Sequence, residues 1–337
     1  MRWDNLKAGS PGPATLPGLD RGTVTRTFDA PEAVGIRFHE IEARSAINDV
    51  GPMSYVDFRH TINPYRGCTH ACVFCFARPT HKYLDLNARE DFEREIIVKV
   101  NLPEVLQAEL RKPSWKGELI ALGTNTDPYQ WVEGRYRITR AVWEALLEAR
   151  NPCSVLTKSP LLLRDLDLFR KLNERTRFAA SLSIPTLDEK AWRATEPATP
   201  SPRKRIEAVA ALRDAGIEAG VLIAPLMPGI NDSPAQVNEI LELCGEAGAT
   251  SISGIALHLR GEVRSIFLDW LRQYRPDLVP RYEQLYAGGG NMEAGERRRL
   301  GALVRRGGRA RPRQPRREVP ARAEPPSGPP AAPLKLF

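Results

Sequence analysis

The chain has 337 residues, with 49 Lys+Arg against 41 Asp+Glu and a formal net charge of +8. Its 42% apolar and 27% charged content is that of a globular protein, which excludes wholesale disorder and collagen-like repeats and allows one large α/β domain or two smaller ones. No run approaches the ~18 apolar residues of a membrane-spanning helix and the N-terminus lacks a signal-peptide pattern, so a cytoplasmic protein with no membrane partner is expected.

Residues 1–55 carry Pro11, Pro13, Pro17, Gly18 and Pro31 with weak periodicity and read as an extended lead-in. From about residue 58, β-rich stretches alternate with helical patterns. The strands are expected at Phe58–Pro64, Leu119–Gly123, Ser154–Thr157, Phe178–Ile184, Glu218–Ala224 and Ser251–Leu257. Leu102–Arg111 and Thr139–Arg150 are expected helices. Ser159-Pro160, Ser201-Pro202 and Ser233-Pro234 each place an N-cap before a proline at the first helical position, opening Leu161–Leu172, Arg203–Ala215 and Ala235–Ala247. Ile96–Val100 is expected as a further short strand and Val263–Tyr274 as the last helix. Six strands alternating with helices predict an α/β fold with a parallel sheet and right-handed crossovers. No glycine-rich phosphate loop follows the first strand, as a dinucleotide fold needs, so a partial (β/α)6 barrel is expected over residues 56–287.

Residues 288–337 read as a basic Pro/Arg-rich tail, in which Glu296–Leu300 is expected to add at most one more helical turn. Residues 303–337 hold eight Pro, three Gly and a single aromatic, Phe337, a composition expected to stay disordered. Residues 291–337 hold 12 Lys+Arg against 4 Asp+Glu, while residues 1–290 hold 37 of each, so the barrel region is electrically balanced and the excess charge belongs to the tail. Such an arm is either a solvated appendage or a nucleic-acid anchor.

Five cysteines in a cytosolic chain argue against a disulfide framework. Three of them, Cys68, Cys72 and Cys75, fall on one loop after the first barrel strand, at spacing C-x3-C-x2-C with Phe74 before the last. Structural zinc commonly draws four ligands from paired clusters, and no second C-x2-C or H-x3-H pair exists here. A [4Fe–4S] cube takes four cysteines in ferredoxins. Three ligands leave one iron open, which points to a bound substrate or cofactor rather than electron storage.

The segment Asn63–Arg78, with its C-x3-C-x-aromatic-C core, resembles the radical S-adenosylmethionine (SAM) superfamily. The resemblance implies a radical SAM barrel in which Cys68, Cys72 and Cys75 hold a [4Fe–4S] cluster and SAM chelates the fourth iron. It further implies reductive cleavage of SAM to a 5′-deoxyadenosyl radical, with an external one-electron donor of flavodoxin or ferredoxin type. Gly123–Gln130, Val155–Asp165, Ala179–Pro185, Glu196–Arg205 and Ala224–Asp232 also resemble the spore photoproduct lyase-like branch. On that resemblance Phe74 joins the cofactor site, Thr124, Asn125, Thr126 and Asp127 contact the methionyl end of SAM, Lys158 faces its carboxylate, and Ser181 or Ser183 its ribose. The spore lyase also uses a further cysteine as hydrogen-atom donor. Gly123-Thr124-Asn125 offers no such thiol, so the resemblance does not carry over to repair of a thymine photolesion.

All six strands end in candidate site groups, as a parallel barrel requires of an active site. The plainer expectations are an ordinary turn at Thr124–Asp127, a surface ion pair between Glu196 and Arg203, buried apolar-like thiols at Cys153 and Cys244, and structural roles for His258 and Arg260. Tyr65, Tyr129 and Tyr136 are candidate radical relays. The expected function is a radical SAM enzyme of unidentified substrate. The alternatives are a metal-stabilised nucleic-acid-binding protein using the basic tail, and a radical SAM enzyme acting on nucleic acid.

Overall fold

The computed structural model describes residues 6–7, 23–51 and 58–308. The chain enters through β1 (Leu6–Lys7), β2 (Val24–Arg26), β3 (Arg37–Ala43) and β4 (Ile47–Asp49). It continues through β5 (His60–Ile62), β6 (Tyr65–Arg66), α1 (Glu90–Arg94), β7 (Glu95–Lys99), α2 (Leu102–Leu110), β8 (Ile120–Leu122), α3 (Glu133–Tyr136), α4 (Ile138–Glu148) and β9 (Cys153–Thr157). Then come α5 (Leu166–Arg175), β10 (Phe178–Ser183), α6 (Glu189–Thr195), α7 (Pro202–Asp214), β11 (Glu218–Leu226), α8 (Pro234–Glu246), β12 (Ser251–Ala256), α9 (Glu262–Tyr274), α10 (Val279–Leu285) and α11 (Ala294–Gly308).

The six expected strands form one sheet in the order β12-β11-β10-β9-β8-β5, all parallel, with β4 added antiparallel beyond β5. Among the described residues the two ends of the sheet do not pair, so the barrel is partial. Strand alternation divides its faces: Val155, Ala180, Leu182, Val221 and Ile223 are buried, and Ser154, Leu156, Ser181 and Leu222 on the opposite face are half-buried. The helical caps act as the Ser-Pro pairs predict. Ser201 Oγ accepts from Lys204 N at 3.4 Å and Ser233 Oγ from Gln236 N at 3.2 Å, while Ser159 Oγ caps a 3₁₀ turn that runs into α5.

Three expectations change. The stretch before residue 55 is not merely extended, since β2, β3 and β4 lie in it. With β1, β6 and β7, the strands β2 and β3 build a second, mixed sheet. Ile96–Val100 does become a strand, but as β7 it pairs with β3 in that second sheet, Arg37 opposite Glu95. Finally, α9 is not the last helix. α10 and α11 follow, and α11 buries Leu300 and Val304. Gly254 lets this helix approach β12, because a Cβ there would lie 2.7 Å from Val304 Cγ2. Pro11, Pro13, Pro17 and Gly18 of the lead-in, and the tail from residue 309 onward, lie outside the described residues. No described helix is long and apolar enough to cross a membrane.

Gly123 closes β8 at φ +87°, and a Cβ on it would sit 1.8 Å from the Leu156 carbonyl oxygen of β9. Gly123→Ala is therefore expected to lower the unfolding free energy by about 2–4 kcal/mol, read from urea denaturation, because both the backbone conformation and the strand spacing forbid the methyl.

Candidate active site

The cysteine loop leaves β6 at Gly67, whose φ of 79° suits glycine. A Cβ there would lie 2.9 Å from both His81 Cε1 and the Phe92 carbonyl oxygen. Cys68 N donates to Phe92 O at 2.9 Å, and successive turns follow as Ala71 N donates to Cys68 O, Cys75 N to Cys72 O and Arg78 N to Cys75 O. Arg78 is 2% exposed and acts as the loop's internal strut. Its Nε donates to Cys72 O at 2.9 Å, Nη2 to Ala71 O at 3.1 Å, and Nη1 to Arg89 O at 2.9 Å and Ala88 O at 3.3 Å. Its charge pairs with Glu93, and its guanidinium lies 5.4 Å from the centre of the Phe92 ring.

Two further tethers fix the loop to the barrel. From the segment after β8, Thr126 Oγ1 donates to Gly67 O at 2.6 Å, Gln130 Nε2 donates to the same oxygen at 3.1 Å, and Gln130 Oε1 accepts from Thr69 N at 2.9 Å. From the end of α6, Thr195 O accepts from Val73 N at 3.1 Å.

The Cys68 and Cys72 thiols are buried and Cys75 is half-buried. Burial pushes the Cys72 thiol up and raises Cys75 to about 11, and for each the neighbouring thiols push the same way. The three sulfurs are thus within electrostatic reach of one another, and together they are stable as thiolates only against a compensating cation. Among the described residues no three Cys, His, Asp or Glu side chains converge on one point. Three cysteine thiols on one short loop are the donor set of an iron–sulfur centre whose remaining iron is left to another ligand.

The segment after β8 divides by task. Thr126 and Asp127 are committed to the fold: Asp127 Oδ1 accepts from Thr157 Oγ1 at 2.6 Å and Tyr129 N at 2.9 Å, and Oδ2 accepts from Lys158 N at 2.8 Å. His70 Nδ1 lies 3.3 Å from Asp127 Oδ2. Burial alone would raise the Asp127 carboxyl, but His70 and these hydrogen bonds bring it down to about 2. Thr124 and Asn125 are half-buried.

Lys158, at the end of β9, aims at the same place. Its Nζ donates to Ser183 Oγ at 2.7 Å, lies 5.6 Å from the centre of the Phe74 ring and sits 2.6 Å from Glu196 Oε1. Ser183, at the end of β10, in turn donates to Ala224 O at 3.1 Å. Ser181 lies deeper along the same strand face, beside Gly220 and Ser251.

Glu196 overturns an expectation. It forms no surface pair with Arg203, which instead sits on the surface 3.6 Å from Glu239. Glu196 is fully buried and ion-paired with Arg205 at 2.8 Å as well as with Lys158. Burial pushes its carboxyl up, yet the two cations outweigh that and hold it below its ordinary value. Sequence reasoning also assigned no role to Arg78 and Gln130, although each ends a segment that resembles the family. Arg205 stood at the edge of a matching segment, but a Glu and an Arg flanking prolines look like solvated loop residues until the topology closes over them.

The other candidates fall outside this cluster. Cys153 and Cys244 are buried thiols, and burial raises Cys153. His258 and Arg260 both meet Asn291, at 3.2 and 3.1 Å. Tyr65 donates to Glu133, Tyr129 to Asp165 and Tyr136 to Glu40.

His81, beneath Gly67, is fully buried, with Nε2 2.9 Å from Glu95 O and no partner on Nδ1. Burial lowers it to about 4. The unfolded chain, with an ordinary histidine near 6.5, therefore binds its proton first. The stability that His81 contributes is complete above about pH 6.5 and is lost as pH falls toward about 4, amounting to about 3 kcal/mol. Urea midpoints measured across that range should fall more steeply for the native chain than for His81→Gln.

Residues 62–248 match the family model described as the radical SAM superfamily. An uncharacterized protein of Mycobacterium tuberculosis is 42% identical over 293 residues, covering 86% of each chain. An uncharacterized protein of Methanocaldococcus jannaschii is 31% identical over 197 residues, 58% of this chain and 70% of that one. Among solved structures, spore photoproduct lyase complexed with dinucleoside spore photoproduct superposes with a TM-score of 0.56 at 17% identity, over 75% of this chain and 74% of that one. A double mutant of the same lyase with bound AdoMet superposes with a TM-score of 0.55 at 18% identity, over 77% and 75%. These superpositions establish a shared fold.

Proposed function

The chain belongs to the radical SAM superfamily, and from that membership we propose that Cys68, Cys72 and Cys75 hold its [4Fe–4S] cluster while the groups around Lys158 bind SAM. The family makes it an enzyme whose cofactors are this cluster and SAM, supplied with electrons by a donor. When bound and reduced, the pair supplies a carbon-centred radical that begins chemistry on substrate.

The observation that carries the assignment is the loop itself, with three cysteines on one short turn, backbone tethers to Arg78, to the segment after β8 and to α6, and Phe74 facing the half-buried Lys158 ammonium. Arg78, Thr126, Gln130 and Thr195 hold the loop's backbone. Lys158 offers a positive charge to the SAM carboxylate, Ser183 a hydroxyl near its ribose, and Thr124 and Asn125 their polar groups to its methionyl end, with Phe74 beneath. Ser181 is placed for a part of the ligand that lies deeper in the barrel. The donor is of flavodoxin or ferredoxin type, and the enzyme is cytoplasmic. The test is anaerobic reconstitution with iron and sulfide, then SAM and dithionite. Iron bound at about four per chain and release of 5′-deoxyadenosine are expected; zinc without SAM cleavage would favour a metal-stabilised binding protein.

A nucleic-acid substrate is the second reading, supported by the concentration of positive charge after residue 290. Because α11 packs against β12, the informative truncation removes residues 309–337 and leaves the helix in place. Loss of salt-sensitive oligonucleotide binding from that truncation supports an anchoring tail, and unchanged binding rules it out.

A further inference from the structure

A lysine ammonium on four rotatable bonds has no fixed place unless something holds it. At the end of β9 Ser183 Oγ accepts from the ammonium at 2.7 Å, and the charged holder is Glu196, the residue that follows α6. Its carboxylate is fully buried, with one oxygen 2.6 Å from Lys158 Nζ and the other 2.8 Å from Arg205 Nη1. Both approaches are oblique, so neither oxygen has a well-aligned hydrogen bond.

Arg205, in the first turn of α7, is equally buried and leaves itself little freedom. Its Nε donates to Pro200 O at 3.0 Å, Nη1 to Ser183 O at 2.8 Å and Nη2 to Thr199 Oγ1 at 2.6 Å. Thr199 is held in turn, since its Oγ1 accepts from Trp192 Nε1 and donates to Glu196 O, both at 2.8 Å. Arg205 is thus a fixed cation that pins Glu196, and Lys158 is the cation that can move. Two positive charges share one negative charge beside the cysteine loop. The corner therefore keeps one unit of positive charge for an incoming anion, delivered through Lys158 above Phe74.

We infer that Glu196, clamped by Arg205, is a positioning residue that sets the Lys158 ammonium in register to receive the carboxylate of SAM. This rests on the reading of Lys158 given above. Lys158 and Glu196 then act as one unit, and removing either removes the same interaction with the ligand. A purely structural ion pair carries no such constraint.

The experiment is a double-mutant cycle read by equilibrium dialysis of SAM, and of decarboxylated SAM, against anaerobically reconstituted protein whose cluster absorbance is checked first. Lys158→Met should weaken SAM binding on the order of 10–100-fold, the range typical of residues that orient a ligand-binding group. Glu196→Gln should weaken it to a similar extent, and the double variant should bind no more weakly than either single one. Decarboxylated SAM should bind all four proteins alike, whereas general damage to the site would weaken both ligands. If Glu196→Gln does not retain the cluster, Glu196→Asp, which keeps the charge but withdraws it by one methylene, takes its place in the cycle.

Losses that multiply in the double variant overturn the inference. So does a Glu196 variant that binds SAM like the native chain, or one that loses decarboxylated SAM equally. Loss of the cluster from both Glu196 variants overturns it too, in favour of a structural role. Native-like SAM binding by Lys158→Met instead overturns the assignment of Lys158, which is a separate failure.

Discussion

Cys72→Ala is expected to fold, to hold little iron after reconstitution and to release no 5′-deoxyadenosine. The loop's backbone does not depend on the thiol, because Arg78 engages the carbonyls of Ala71 and Cys72 and Thr195 receives the amide of Val73. On the proposed assignment, what disappears is one of three cluster ligands, with no further cysteine on the loop to replace it. Cys244→Ala is the matched control, since it deletes a buried thiol on α8 and should cost about 1 kcal/mol of stability while leaving iron content and SAM cleavage intact. Iron assay and product chromatography separate the two variants. Equal loss in both would mean that the effect is on folding and not on the cluster.

Arg78→Met carries the second large expected effect. The substitution removes donors from four backbone carbonyls, on Ala71, Cys72, Ala88 and Arg89, and leaves Glu93 without its cation. Stability should fall by about 3–5 kcal/mol, the range found when one partner of a buried charged network is deleted. Reconstituted iron should fall with it, because the turn between Cys68 and Cys75 loses its strut. Arg78→Lys should recover little, since a point-like ammonium cannot serve acceptors spread around a planar fork. The checks are urea unfolding of the cluster-free protein and iron content after reconstitution.

The barrel was legible in the sequence because its signals are local. Each parallel strand is a short β-rich run, each following helix begins at a recognisable cap, and the polar residues cluster where strands end. The second sheet was not legible. β3 and β7 pair across more than fifty residues, Arg37 with Glu95, and no local pattern announces a pairing at that distance. Of α11 only the turn Glu296–Leu300 was legible, for a different reason. It is rich in arginine and glycine, and its apolar contact is short: Leu300 and Val304, one turn apart, are buried, with Leu303 packed beside them.

The site divides along the same line. Cys68, Cys72 and Cys75 sit within eight residues and announce themselves, as does Lys158 directly after β9. Glu196 and Arg205 do not. Charged residues in a proline-rich loop are ordinarily exposed, and these two are fully buried only because α6 and α7 fold back over the end of β10. The balance of charge in residues 1–290 conceals a local imbalance, with the buried Arg205, the half-buried Lys158 and one buried anion, Glu196, beside three thiols. On the proposed reading that imbalance, rather than the net charge of +8, is the electrostatic feature offered to the cofactor.

The most direct measurement is electron paramagnetic resonance of the anaerobically reconstituted, dithionite-reduced protein before and after addition of SAM. A [4Fe–4S]+ signal that SAM shifts is the expected result, because three cysteines leave one iron open for it. An iron–sulfur signal indifferent to SAM, or stoichiometric zinc and no signal at all, would contradict the account.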